Sequence, residues 1–273
     1  MAALFRTEMT KQWRRPRTYV ALGVTILIPV IAGVAIKTNP PSGPGQGTGP
    51  YAYLANFTGV FLPVVSLRFM SRFLLVVLVA LFAGDAVASE ASWGNLRAML
   101  TRPVSRGRLL VAKVESAALL SLIATALILI ASLVAGVALF GWHGLNLPLP
   151  GPAFHQSALH IVGNTALASA YVLWGIASAA ALAFMVSTMT DSPAGAIFAG
   201  IGLYLVSQIL DGISSLGSIR DGLPTHYFDA WTDLFSGSGP TGDMLRGTLL
   251  QLPYVLVFGG IAWWYFRRKD VLS

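Results

Sequence analysis

Six apolar runs, each bounded by charged or turn-forming residues, set the plan of this chain. They cover about 19–36, 69–84, 114–140, 161–186, 194–210 and 249–266. A helix rises 1.5 Å per residue, so roughly 20 apolar residues cross a hydrocarbon core about 30 Å thick. The pattern therefore predicts an all-α polytopic membrane protein, six transmembrane helices in a single transmembrane domain over 1–273. Pro29 marks a point where the first helix can kink. A continuous helix over 51–84 would run to about 51 Å, more than a bilayer needs. A short external or re-entrant helix up to about Leu67 is expected there, followed by the second span. The fourth run is rich in Ala, Ser and Gly, which suits close helix packing in lipid. In the fifth, Gly195 with Ala199 and Ala196 with Gly200 form two small-residue pairs four apart, fit either to pack spans within one chain or to join two chains.

The polar connections differ in kind. Residues 37–50, KTNPPSGPGQGTGP, and 141–157 are Gly- and Pro-rich and read as external loops. The longest external segment is 211–248. Within it Tyr227, Phe228, Trp231, Leu234 and Phe235 form an amphipathic stripe with Asp229 and Asp233 set apart, which predicts an outer-surface helix that either gates an exit or anchors in the outer interface. At the start, Phe5, Met9 and Trp13 recur every four residues with Leu4 alongside, among Arg6, Lys11, Arg14, Arg15 and Arg17. This is a basic amphipathic helix suited to the headgroup layer. A signal-peptide n-region is the competing reading, disfavoured because the apolar run after it is longer than a usual signal core.

The densest charge lies at 84–113, between the second and third runs. Arg97, Arg102, Arg106, Arg108 and Lys113 stand there against Asp85 and Glu90. Periodicity predicts a short helix over 88–100, with Trp93, Leu96 and Leu100 on one face, Arg97 beside it and Glu90 opposite part of it. Pro103 ends it, and Ser105 is placed to cap the next helix. An apolar face on a polar loop needs a cover: headgroups, the protein's own spans or a partner. Between the fourth and fifth runs, 187–193 reads STMTDSP, a turn in which Asp191 or Ser192 caps a helix and Pro193 enters its first turn.

Charge then orients the chain. With both termini cytoplasmic, Arg6, Lys11, Arg14, Arg15, Arg17, Arg97, Arg102, Arg106, Arg108, Lys113, Arg267, Arg268 and Lys269 all face inward, 13 of the 18 lysines and arginines, as membrane proteins prefer. The net charge of +7 thus belongs to topology and not to nucleic-acid binding. Arg68 and Arg72, four apart near the outer end of the second run, either line a substrate path or snorkel to headgroups, the second being preferred. His143, His155 and His160 lack the spacing of a metal site, and there is no cysteine. No lysine follows a glycine, so a phosphate-cradling P-loop is absent; HExxH and GxSxG are absent too. No paired acids are expected inside a span, so no catalytic residue is assigned.

The order Gly84-Asp85, Glu90, Gly94-Asn95-Leu96, then Leu100-Thr101-Arg102-Pro103-Val104-Ser105-Arg106, then Lys113 resembles the first cytoplasmic loop of ABC transporter permeases of the type-2 exporter class. Ser192-Pro193 followed by Ala194-Gly195-Ala196 resembles their second. This chain has Asn95 where that family usually has Thr, and Trp93 where a charge is common. The resemblance implies an elbow helix at 1–17 and a cytoplasmic coupling loop at 85–113 whose coupling helix docks on a separate ABC ATP-binding subunit. Contact would fall to Glu90, Trp93, Gly94, Leu96, Arg97, Leu100, Arg102 and Pro103, with Asp191, Ser192 and Pro193 in the second turn. It further implies a multi-pass protein of the cytoplasmic (inner) membrane, paired with a second permease copy as a homodimer or heterodimer. ATP and Mg would be bound by the partner, with no cofactor in this chain. The apolar spans favour export of a hydrophobic drug, antibiotic, peptide or lipid. An ion-coupled carrier or membrane-embedded enzyme is the alternative, and would need polar groups converging within the spans.

Overall fold

The computed structural model describes residues 2–43, 50–92, 105–147, 155–236 and 239–268. Its helices in chain order are α1 (Ala2–Trp13), α2 (Pro16–Thr38), α3 (Pro50–Ala55), α4 (Leu62–Ser71), α5 (Leu74–Ser92), α6 (Arg106–Phe140), α7 (Ala158–Gly175), α8 (Ala177–Met189), α9 (Pro193–Asp211) and α10 (Gly242–Arg268). Six helical units are long and apolar enough to cross a membrane: α2, α5, α6, α7 with α8, α9 and α10. The protein is thus a largely helical, multi-pass membrane protein.

The most apolar stretch of α5 is 78% buried, against 50% for α7 with α8 and less for the others. The other spans are therefore arranged around α5. Small residues allow this. A Cβ on Gly84 would lie 2.8 Å from the Ile197 backbone nitrogen, and one on Gly200 would lie 2.6 Å from Ala179 O. Ala196 and Gly200 are buried within the chain while Gly195 is exposed, so the Ala196–Gly200 pair packs spans together. On the other side of the bundle Gly59 and Gly136 let the 3-10 turn Gly59–Phe61 lie directly on α6; a Cβ at Gly59 would stand 2.2 Å from Gly136 O.

The second span begins later than its hydropathy suggests, because α4 is a separate short helix buried almost throughout, and the chain turns at Arg72 and Phe73 before α5 starts. The span then continues to Ser92, which draws Asp85 and Glu90 into the helix. The third span likewise starts at Arg106 and takes in Lys113. Much of the expected loop at 85–113 is therefore span, and 88–92 of the expected loop helix is the end of α5.

One end of the bundle carries α1, the end of α5, the start of α6 and the end of α10. Phe266 of α10 packs there with Val87, Leu109 and Leu110. Ser187 Oγ accepts from Val87 N at 3.1 Å and Ala88 N at 2.9 Å, so α8 finishes beside α5. Both span-to-span connections, 93–105 and 190–192, leave from this end.

The opposite end is closed by irregular chain. A two-residue antiparallel ladder pairs Leu145 with Gln156 and Asn146 with His155. The expected amphipathic stripe forms as a 3-10 helix, Phe228–Phe235, but Phe228, Trp231, Leu234 and Phe235 are buried. They pack with Tyr51, Phe61 and Tyr204 and do not anchor in an outer interface. Tight 3-10 turns leave carbonyls without helical partners, and irregular backbone next to lipid must be satisfied by protein. Here Gln251 donates to Pro224 O at 2.7 Å, Tyr171 to Tyr227 O at 2.6 Å, Asn164 to Leu234 O at 2.8 Å and Gln156 to Phe235 O at 3.2 Å.

The Gly59–Gly136 crossing yields a direct test. Gly59→Ala should destabilise the detergent-solubilised protein by about 1–3 kcal/mol, the usual cost of overpacking. Gly202→Ala, where a Cβ meets nothing within 4 Å, should leave the thermal midpoint nearly unchanged. Equal midpoints for the two variants would contradict the crossing.

Candidate functional site

The charges drawn into the bundle meet at its basic end. Lys113, on α6, is 1% exposed. Its Nζ donates to Ala86 O at 2.7 Å and lies 3.2 Å from Glu8 Oε2 and 2.5 Å from Glu90 Oε2, the last an ion pair outside hydrogen-bond angles. Lys11 joins the same two carboxylates from the rim, 2.8 Å from Glu8 Oε1 and 2.9 Å from Glu90 Oε1. One α1 turn is thereby stitched to both α5 and α6.

This explains how α1 sits. Its buried positions are Glu8 and Gln12, while Trp13 is exposed and Met9 only partly covered. The apolar stripe that periodicity picks out is not the face turned most fully inward. A buried carboxylate with two ammonium partners outweighs a weak apolar moment, because an unpaired charge in this setting is costly.

A second group lies one helical turn away. Asp85 Oδ2 accepts from both Arg15 and Arg17, at the junction of α1 and α2, and Arg15 Nη2 also donates to Ser89 Oγ at 3.1 Å. Asp85 Oδ1 is buried without a hydrogen-bond partner among the described residues. Asp85, Ser89 and Glu90 fall at spacings of four and five on the central helix. Together the groups bring Glu8, Asp85 and Glu90 against Lys11, Lys113, Arg15 and Arg17.

Burial works against ionised Glu8, yet Lys113 and Lys11 more than offset it and hold the carboxyl below its ordinary value of 4.5. Burial likewise opposes the Lys11 ammonium, but bonds to Glu8 and Glu90 raise it above its ordinary 10.5.

The residues singled out from sequence divide into three sets. Glu90, expected on a partner-facing loop helix, is 5% exposed inside the bundle. Trp93, Gly94, Leu96, Arg97, Leu100, Arg102 and Pro103 lie outside the described residues. Asp191, Ser192 and Pro193 form the expected turn: Ser192 Oγ accepts from Gly195 N at 3.2 Å, and Pro193 opens α9. Arg68 and Arg72 are at the far end. Both pair with Asp229 of the 3-10 helix, Arg68 Nη1 at 3.2 Å from Oδ1, so they tie α4 to the closing segment. Among the described residues no group of three His, Asp or Glu side chains is placed to hold a metal ion; His226 bridges Asp211 and Asp221 through its two ring nitrogens. Sequence reasoning missed Glu8 and Lys113 as a pair. The available signal was a lone acid in an otherwise basic helix and a lysine followed by a long apolar run.

A family model described as "Protein of unknown function (DUF2705)" matches residues 48–272. No curated protein matches the chain.

Lys113→Met leaves two buried carboxylates short of their main cation and should cost about 3–5 kcal/mol. Arg246→Gln, in an exposed pair with Asp243, should cost less than about 1 kcal/mol. Similar unfolding midpoints for both variants would contradict the buried network. The pH dependence follows in sign. Glu8, depressed when folded, stabilises above pH 4.5, and that contribution fades as pH falls through its folded value. Lys11, raised when folded, stabilises below pH 10.5, and its share fades as pH climbs through its own folded value. Thermal midpoints should form a plateau between these limits. Glu8→Gln should flatten the acid limb; an unchanged acid limb would remove Glu8 from the account.

Proposed function

Because the chain belongs to the DUF2705 family, whose description assigns no activity, we propose a function from its own residues: it is the membrane-spanning permease subunit of an ATP-driven exporter of the ABC type-2 class. The carrying observation is the convergence of four features on one basic end. These are helix α1, the two short connections 93–105 and 190–192, and the end of α10. In this reading that end faces the cytoplasm, as the bias of lysine and arginine favours, and the membrane is the cytoplasmic one.

A separate nucleotide-binding subunit hydrolyses ATP with Mg and docks on the apolar face of Trp93, Leu96 and Leu100, with Asp191, Ser192 and Pro193 as a second point of contact. A second permease copy completes the pathway. The buried network supplies what such docking needs mechanically. Force applied beyond Ser92 enters α5 directly, and Glu90 and Lys113 oblige α5, α6 and α1 to respond together. Nucleotide then biases a two-state bundle through its differential contacts with the two states. Glu90 acts inside this linkage and not at the docking surface. The apolar spans favour a hydrophobic cargo: a drug, antibiotic, peptide or lipid.

One observation favours a second reading. The unsatisfied Asp85 Oδ1 is the kind of buried carboxylate oxygen an ion-coupled carrier uses. Its location beside two arginines makes it a weaker candidate than a carboxylate in mid-span.

Reconstitution separates these readings. The purified chain alone should hydrolyse no ATP, and a native-membrane pull-down should retain an ATPase that drives transport with it. Trp93→Ala combined with Leu96→Ala should abolish the coupling while leaving the thermal midpoint unchanged. Glu90→Gln should lower that midpoint. Solute uptake into vesicles driven by an ion gradient, with no ATPase present, would overturn the exporter reading.

A further inference from the structure

The seam between α6 and α10 has two parts that line up. At the basic end a cleft of about 590 Å³ is bordered by Arg106, Gly107, Arg108 and Val111 of α6 and by Trp263 and Arg267 of α10. Further along lies a crevice of about 490 Å³, bordered by Val114, Ala118 and Leu122 of α6 and by Val255 and Gly259 of α10, with α7 and α8 lining it between them through Trp174, Ala177 and Ala181 among others. Phe184 of α8 and Val79 of α5 lie behind it.

The registers show that this is one groove. On α6, Gly107, Val111, Val114, Ala118 and Leu122 follow at steps of four, three, four and four, a single helical face. On α10, Val255, Gly259, Trp263 and Arg267 repeat every four residues. Gly107 and Trp263 bring the helices close at the basic end, where a Cβ on Gly107 would stand 2.7 Å from the indole ring. Beyond that point the groove is open: a Cβ on Gly259 meets nothing within 4 Å, and Val114 and Leu122 are exposed. From 107 to 122 the face extends about 22 Å, enough to span one leaflet of hydrocarbon, about 15 Å, and reach the headgroups.

Polarity changes sharply along the groove. Arg108 and Arg267 are exposed and meet no carboxylate among the described residues, and Arg106 is held at the rim by donating to Arg267 O at 3.0 Å. The Trp263 ring sits where the arginines give way to apolar side chains, the depth at which tryptophan favours a membrane interface. Past Val111 the walls are almost wholly aliphatic or aromatic.

We infer that the α6–α10 seam binds one phospholipid with an anionic headgroup, its phosphate at Arg108 and Arg267 and an acyl chain along Val114, Ala118 and Gly259. Clustered arginines recognise phosphate geometry well, and each cation near the surface adds to the attraction for anionic lipid. A second copy of this chain is a poorer occupant. It would set its own Arg108 and Arg267 against the same two arginines, which meet no carboxylate among the described residues. The lipid site does not depend on the identity of any ATPase partner.

The test uses the full chain in detergent micelles containing equal amounts of phosphatidylglycerol and phosphatidylcholine, with bound lipid counted by native mass spectrometry. Wild-type protein should retain phosphatidylglycerol on the order of tenfold over phosphatidylcholine. Arg108→Gln with Arg267→Gln should remove that preference. Gly259→Leu, which keeps every charge but fills the apolar half, should lose the bound lipid at an unchanged thermal midpoint. Wild-type lipid retention in either variant, or equal retention of the two lipids by wild-type protein, would overturn the site. So would efficient disulfide cross-linking of Gly259→Cys between two chains in native membranes, since it would place a second copy in the groove. The chain has no other cysteine to confuse that readout.

Discussion

A single ammonium group holds the basic end of this protein together. Lys113 Nζ lies within ion-pair distance of carboxylates from two other helices, Glu8 and Glu90, and also bonds a backbone carbonyl of α5. Placing a lysine in so dry a position is favourable only if its partners are fixed, and fixing them defines where α1, α5 and α6 stand relative to one another. The result is a rigid three-helix corner at the end from which both short connections leave. Apolar burial alone would leave α1 free to roll, since its apolar stripe is narrow.

The opposite end is organised by another rule. There the chain abandons regular helix, and stability depends on supplying donors to stray carbonyls. Asn164, Tyr171 and Gln251 do so from the surrounding spans and Gln156 from the two-residue ladder, while Arg68 and Arg72 fasten Asp229. The buried aromatics Phe228 and Trp231 complete this closure. The two ends thus differ in kind: one is locked by ion pairs, the other by side chains satisfying irregular backbone.

Much of this architecture is legible in the amino-acid pattern. The six apolar runs and the short helix before the second span follow from hydropathy. Turn chemistry and side-chain size narrow the cap to Asp191 or Ser192 and the tight contact to two small-residue pairs, leaving the structure to pick Ser192 and the Ala196–Gly200 pair, packed within the chain. The charged residues are where local reading fails. Hydropathy ends a span at its first acid, so it places Asp85 and Glu90 in a loop, although both continue α5 because cations from other helices reach them. The same blindness hides Lys113 and misassigns the inward face of α1. Pairings across 70 residues or more, such as Arg15 with Asp85 and Lys11 with Glu90, leave no mark on local periodicity. The aromatic stripe at 227–235 shows the converse: its amphipathicity is real, but periodicity does not say whether an apolar face meets lipid or protein.

The central claim is that Lys113 couples α6 to α1 through Glu8 inside the protein. A double-mutant cycle on unfolding free energy, using Glu8→Gln, Lys113→Met and the combined variant, measures that coupling directly. Contacting charged pairs show interaction energies of about 0.5–3 kcal/mol, and a buried pair predicts the upper half of that range, with the double variant far less damaged than the sum of the singles. Strictly additive losses would mean that Glu8 and Lys113 do not meet, and the corner built on them would not stand.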